Sequence, residues 1–422
     1  MSAKIDRIVL IKNAVETLGY FSGQIAAGLK EQGFETYFID YEALDETVPR
    51  LSCFARRGKT ALLTFNFIGL SGEPFFKEDG HEIWETYEMQ CLNILVDHPL
   101  YYHTKLAKLS EERRNHAVST DEDKMTLVCI DRDHAVYIRR FYPEIHVVFM
   151  PLAGNRLFDW EELLPIEKSF SIEKTLSTEE PLPLEEREYD LVFTGNHVTV
   201  EEIERRVDAA DAEYRTFYRE IMEDVLTHPK RRIEAVMEEH IRNELGDVPE
   251  AELCSAMAGT AFVDIWARAK SRAQIVERLA DADIKMLVVG EGWDYLKEKK
   301  GHPAVTGKMV DSAACVSATR QGKLSLNVLP WFQNGAHDRI FTAMLQKSVA
   351  LTDGNDYLRE LFGDKKELVF YSLDAIEELP QLVWELLSHP KQLQEIADCG
   401  YACAKKFHIW EKRARFLADL LK

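Results

Sequence analysis

The stretch from Leu324 to Leu358, LSLNVLPWFQNGAHDRIFTAMLQKSVALTDGNDYL, gathers the residues best suited to hold a charged ligand. An apolar run, Leu324 to Leu329, reads as a buried strand. A polar loop follows, with Asn334, Gly335, His337, Asp338 and Arg339. Ile340, Phe341, Met344 and Leu345 then fall on one helical face. A second apolar run, Val349 to Leu351, ends in Thr352-Asp353-Gly354. The spacing predicts strand, loop, helix, strand. In a parallel α/β sheet, ligands sit beyond the carboxyl ends of strands, and phosphates favour helix N-termini. Arg339 stands where its planar fork can make a charge-assisted contact with a phosphate. The pattern describes an anion site, and a nucleotide is the ligand that fits it best.

The elements that must position these residues can be read from both sides. Strands are expected at Ile8 to Ile11, Thr36 to Ile39, Ala61 to Phe67, Leu92 to Val96, Thr126 to Ile130 and Val147 to Met150. A loop from Lys12 to Tyr20 leads to a helix over Phe21 to Gln32, ended by Gly33. This β-α-β opening lacks G-x-G-x-x-G, which argues against a nicotinamide or flavin cofactor. Residues 165 to 187 are acidic and carry Pro181 and Pro183, and residues 166–187 read as a linker. Strands resume at Leu191 to Phe193 and Lys285 to Val289. Between them, about 201–281 is a charged helical insertion, read as a solvated face. Alternating strands and helices imply an α/β protein with doubly wound parallel sheets. The expected division is 1–165, 188–400 and a final helix over 401–422.

Several residues at strand ends are further candidates. Gly195, Asn196 and Gly290 can bring backbone close to a ligand. Trp293, with Thr306 and Gly307, can flank a base, or can anchor the helix that follows. Thr352 and Asp353 can meet ribose or sugar hydroxyls, or cap a turn. In the first half, His98 is a candidate proton acceptor and Asp97 can orient it or act itself. Glu16, Asn66 and Gly69 lie on the same side of the expected sheet. Asp131-Arg132-Asp133 has the D-x-D form of a metal-binding pair. No nucleophile elbow, P-loop or zincin motif occurs.

A length of 422 residues exceeds one ordinary hydrophobic core. The formal net charge of −20 opposes general binding to nucleic acid or anionic membrane, since both need a basic face. No apolar run approaches the roughly 18 residues of a transmembrane helix. Seven cysteines lack any C-x-x-C pair, so reduced thiols and a cytoplasmic location are expected.

On Asn327, Pro330, Gly335, His337, Arg339, Phe341, Ala343, Met344, Thr352, Asp353, Tyr357 and Leu358, the chain resembles the donor-binding half of GT-B glycosyltransferases. It is most similar to the bacterial group typified by spore-maturation CgeB-like proteins. Asp97-His98-Pro99, Asp131-Arg132-Asp133 and Met150-Pro151-Leu152-Ala153 carry a weaker likeness in the first half. The resemblance implies two Rossmann-like domains facing a cleft, with the last helix crossing back to the first. It implies transfer of a sugar from a nucleotide-diphosphate sugar, UDP-linked first, to an acceptor it does not identify. No metal or other cofactor is implied. Thr342 joins the donor candidates through this resemblance. Many retaining GT-B enzymes carry glutamates at the positions of Asn334 and Thr342. Two alternatives remain open: a nucleotide-sugar-binding partner subunit with little catalysis, and a metal-dependent GT-A-like transferase using Asp131 and Asp133.

Overall fold

The computed structural model describes residues 4–78, 80–115, 124–158 and 181–421. The chain forms two compact units, one of residues 1–178 with 407–422, the other of residues 179–406. Of the expected linker, residues 166–180 lie outside the described residues. Leu184, in a short 3-10 turn over Leu184–Glu186, is already part of the second core.

The first unit opens with β1 (Arg7–Lys12), α1 (Glu16–Lys30), β2 (Glu35–Asp40), α2 (Leu44–Phe54) and β3 (Thr60–Phe65). A hairpin of β4 (Lys77–Glu78) and β5 (His81–Glu82) and a short α3 (Ile83–Thr86) follow. Then come β6 (Gln90–Leu95), α4 (His103–Asn115), β7 (Met125–Cys129), α5 (Arg132–Phe141) and β8 (Val147–Phe149). The six main strands are parallel and ordered β2-β1-β3-β6-β7-β8. Every residue of β3 is buried, as expected of a strand covered on both faces. The order reverses between β1 and β3. Helix α1 begins at Glu16 rather than Phe21, because Leu18 joins Phe21, Ile25 and Leu29 on its buried face.

The second unit starts with β9 (Tyr189–Thr194). A helical insertion follows: α6 (Glu201–Asp208), α7 (Ala212–Thr227), α8 (Ile233–Leu245), α9 (Glu250–Gly259) and α10 (Phe262–Ala280). The chain continues through β10 (Met286–Val289), β11 (Ala304–Val305), α11 (Ser312–Thr319), β12 (Gly322–Asn327), α12 (Asp338–Leu345) and β13 (Val349–Asp353). It ends with α13 (Asp356–Leu361), β14 (Val369–Tyr371), α14 (Leu379–Leu387) and α15 (Pro390–Phe407). All six strands are parallel, ordered β11-β10-β9-β12-β13-β14. Here the reversal lies between β9 and β12. Leu191, Phe193, Met286, Val288, Leu324, Leu326, Val349 and Leu351 fill the core beneath the helices.

The last helix, α16 (Trp410–Leu420), belongs to the first unit and packs on α1. A Cβ on Gly28 would stand 2.8 Å from the Ala414 Cβ, so the glycine permits this close crossing. Arg413 fixes the helix by donating to the Pro151 carbonyl at 2.7 Å and the Leu152 carbonyl at 3.0 Å. No helix among the described residues is long and apolar enough to cross a membrane.

Candidate nucleotide-binding site

Where strand order reverses in an open parallel sheet, the loops diverge and leave a crevice. In the second unit that point lies between β9 and β12, and two arginines reach it from different helices. Arg339, in the first turn of α12, donates from Nη1 to the Thr194 carbonyl at 3.1 Å. Arg272, on α10, donates from Nη1 to the Asn196 carbonyl at 3.5 Å, while its Nε has no hydrogen-bond partner. Neither guanidinium forms an ion pair among the described residues. Burial, and then the neighbouring charges of Arg339 and Arg268, push Arg272 down to about 9. Arg268 is itself neutralised by Asp264 at 2.8 Å. The end of β9 is thus a place of excess positive charge, and negative charge placed there would be stabilised. Sequence reading missed Arg272, because its helix looked like a uniformly solvated charged segment.

The backbone here is shaped for close approach. Gly290 ends β10 with φ +147°, and a Cβ there would collide with the Gly195 carbonyl. The Gly290 amide donates to Thr306 Oγ1 at 3.0 Å, and the Glu291 amide to Asn196 Oδ1 at 3.0 Å. Trp293 has no exposed surface. Its Nε1 donates to the Gly195 carbonyl at 2.7 Å, and its ring packs edge-on against Phe193. It braces the glycine loop and offers no free face to a base. The exposed ring beside it is Tyr295, nearly parallel to Trp293, whose hydroxyl donates to Glu277 at 2.9 Å.

The polar loop between β12 and α12 is held from below. Trp331 adopts a left-handed φ of +63°. Asn355 Nδ2 donates to the carbonyls of Phe332 at 2.6 Å and Gly335 at 3.0 Å. The Leu329 amide donates to Asp353 Oδ1 at 2.8 Å, and Asn327 Nδ2 to Thr352 Oγ1 at 2.9 Å. Thr352 has no exposed surface and Asp353 is buried, so both support the loop from beneath and are not open to sugar hydroxyls. Burial pushes the Asp353 carboxyl up to about 6, against the opposing effects of the Leu329 amide and Arg339. Gln333 Nε2 donates to the Pro229 carbonyl at 3.0 Å, tying the loop to the turn between α7 and α8. Asn334 and His337 are half-buried at the site, whereas Gly335 and Thr342 are buried. His337 Nδ1 and Asp338 Oδ1 are 2.8 Å apart. A carboxylate only accepts, so Nδ1 is the donor in this pair.

In the first unit, His98 is buried and built into the fold. Its Nδ1 accepts the Leu100 amide at 3.1 Å, and its ring packs edge-on against His134 and Tyr137. Asp97 is the more accessible partner. Its Oδ2 accepts from Asn66 Nδ2 at 3.0 Å and from the Tyr102 hydroxyl at 3.3 Å. Burial and the Asp97 charge push the Tyr102 hydroxyl far up, which keeps it a proton donor to that carboxylate. Glu16 is exposed in the first turn of α1. Gly69 is buried, with its carbonyl bound by Trp84 Nε1 at 2.6 Å.

Asp131 is almost wholly buried and caps α5, accepting the Asp133 amide at 2.6 Å. Two all-parallel six-stranded sheets correct the GT-A-like alternative, and Asp131, one of the two carboxylates of that alternative, is a helix cap in this fold. Among the described residues, no group of three or more His, Cys, Asp or Glu side chains is arranged to hold a metal.

Residues 268–419 match the family described as "Glycosyl transferase-like", a span that includes Arg272, Arg339 and the whole of β10 to α15. No curated protein matches the chain. Among solved structures, sucrose-phosphate synthase from Thermosynechococcus elongatus is similar over 98% of both chains, at 12% identity and a TM-score of 0.51. A glycosyltransferase from Rickettsia africae is similar over 99% of this chain and 98% of its own, at 10% identity and a TM-score of 0.51. With two Rossmann-like units of parallel sheet and helix, the chain has the fold of the GT-B glycosyltransferases, and residues 268–419 carry the glycosyl transferase-like match.

Proposed function

We propose that the chain is a glycosyltransferase that moves a sugar, a hexose in the first instance, from a nucleotide-diphosphate donor to an acceptor hydroxyl. The observation that carries this reading is the pair Arg272 and Arg339, converging from α10 and α12 on the end of β9 with no ion pair to either among the described residues. In the transfer, the bond from the anomeric carbon to the diphosphate oxygen breaks and a bond to the acceptor oxygen forms. The acceptor loses its proton, and the nucleoside diphosphate departs with added negative charge. Two fixed guanidiniums and the start of α12 supply charge stabilisation for that leaving group, without needing a metal to do so.

Asp97 is assigned the acceptor's proton, in place of His98. Its carboxylate is oriented by Asn66 and Tyr102, as a general base must be. UDP is the first donor nucleotide to test, on the family resemblance. A cytoplasmic enzyme acting on a soluble donor is consistent with this scheme. Asn334 and Thr342 stand where many retaining relatives carry carboxylates, which favours one second reading: a subunit that binds nucleotide sugar without turnover. Incubation with UDP-glucose and UDP-N-acetylglucosamine separates the two. Release of UDP supports transfer or hydrolysis, whereas binding without release supports the second reading.

A further inference from the structure

The end of β12 and the loop after it carry two unused polar atoms in one short stretch. Trp331 is 5% exposed, and its indole Nε1 is buried with no hydrogen-bond partner among the described residues. Asn327, the last residue of β12, is 2% exposed. Its Nδ2 donates to Thr352 Oγ1 at 2.9 Å, but its Oδ1 has no partner among the described residues. Buried polar groups are nearly always paired, and an unmade bond is costly. An unused donor and an unused acceptor at the carboxyl end of a strand, beside a reversal of strand order, therefore call for a ligand.

The backbone of Trp331 supplies a second, independent observation. Its φ of +63° is an outlying conformation for so bulky a residue. Such strain persists where surrounding bonds enforce it, and it gathers at ligand clamps and switch regions. Here the chain is pinned on both sides of Trp331. Before it, the Leu329 amide donates to Asp353 Oδ1 at 2.8 Å. After it, Asn355 Nδ2 holds the Phe332 and Gly335 carbonyls, and the Asp356 amide donates to the Gln333 carbonyl at 3.1 Å. The strain between these pins falls on the residue whose indole N–H is unused.

The chemistry of the two atoms selects the part of the ligand they suit. An indole N–H only donates and an amide oxygen only accepts, whereas a hydroxyl does both. Phosphate oxygens accept, and Arg272, Arg339 and the start of α12 already face the diphosphate in the scheme above. We propose that Trp331 is a sugar-recognition residue of the donor site: when a nucleotide sugar binds, the backbone at Trp331 leaves its left-handed bend and the indole N–H donates to a sugar hydroxyl. Asn327 Oδ1, from the same stretch, is the acceptor offered to the sugar. This rests on the glycosyltransferase reading and adds to it the residue that tells a nucleotide sugar from the bare nucleotide.

The test uses the whole chain, with UDP, UDP-glucose and UDP-N-acetylglucosamine as probes in calorimetry. Trp331→Phe removes the N–H and keeps an aromatic ring. The variant is expected to lose roughly three- to tenfold in affinity for at least one of the two nucleotide sugars, the range of one neutral hydrogen bond. Its affinity for UDP should change less than twofold. A wild-type measurement keeps the proposal falsifiable even where the variant does not fold. With the indole nitrogens labelled with 15N, one indole N–H resonance should shift with a nucleotide sugar and stay in place with UDP. Equal loss of UDP and nucleotide-sugar affinity in Trp331→Phe, or no indole resonance that separates the sugars from UDP, would overturn the proposal and leave the glycosyltransferase reading standing. A wild type that binds none of the three probes would remove both.

Discussion

Arg339 Nη1 donates to the Thr194 carbonyl at 3.1 Å, joining the first turn of α12 to the end of β9 across the point where strand order reverses. The bond holds a cation at the place where the backbone amides of α12 begin. A hydrogen bond to a charged group contributes about 1.5–3 kcal/mol. Arg339→Ala is therefore expected to weaken nucleoside-diphosphate binding by roughly 10- to 150-fold, with a small loss of thermal stability. Arg272→Ala should act in the same direction. Because the two guanidiniums serve one ligand, the double variant should fall short of the sum.

Gly290→Ala tests the backbone floor of the same site. Its φ of +147° and the carbonyl of Gly195 leave no room for a methyl group. Holding a non-glycine residue there costs about 1–3 kcal/mol, before any displacement of Gly195. Lower melting temperature together with weaker UDP binding is expected. Unchanged calorimetric affinity would separate the glycine from the ligand.

Asp353 gives a pH signature. Burial raises its folded-state pKa to about 6, above the ordinary aspartate value near 3.8. Between those values the folded protein binds more protons than the unfolded one, so this group's contribution to stability falls as pH rises from about 4 to about 6. Ionised Asp353 then costs up to about 3 kcal/mol at neutral pH. Asp353→Asn keeps an acceptor for the Leu329 amide and removes the charge. The stability gained by the variant over wild type should be small near pH 4 and larger at pH 7. Urea unfolding at both values checks the sign.

The acceptor-side assignment separates Asp97 from His98. Asp97→Asn and Asn66→Ala are expected to lower kcat with UDP affinity unchanged, since neither residue lies in the second unit. His98→Ala should chiefly lower stability, because the ring caps the turn at Pro99–Tyr102 and packs on His134 and Tyr137. Paired measurements of melting temperature and steady-state kinetics distinguish these outcomes.

The strand ends that build the site were legible because doubly covered parallel strands appear as apolar runs bounded by glycine and polar residues. Leu191 to Phe193, Lys285 to Val289 and Val349 to Leu351 all follow that rule. Arg339 was legible for the same reason, as a cation just after such a run. Arg272 was not. Periodicity locates a charged helix face but does not say which arginine meets a strand end distant in sequence. The sequence left open whether Trp293 and Thr352 were structural or ligand-facing, and it did not show the burial of His98. Each sits beside a loop in sequence, yet neighbours far along the chain decide its burial: Gly195 for Trp293, Asn327 for Thr352, His134 for His98.

Calorimetric titration of UDP into the wild-type chain and Arg339→Ala, both in excess EDTA, tests the nucleotide assignment most directly. Binding by the wild type without metal, weakened at least tenfold in Arg339→Ala, is the expected result. Equal affinity in both proteins, or no binding until Mg²⁺ or Mn²⁺ is added, would contradict an arginine-held diphosphate at the end of β9.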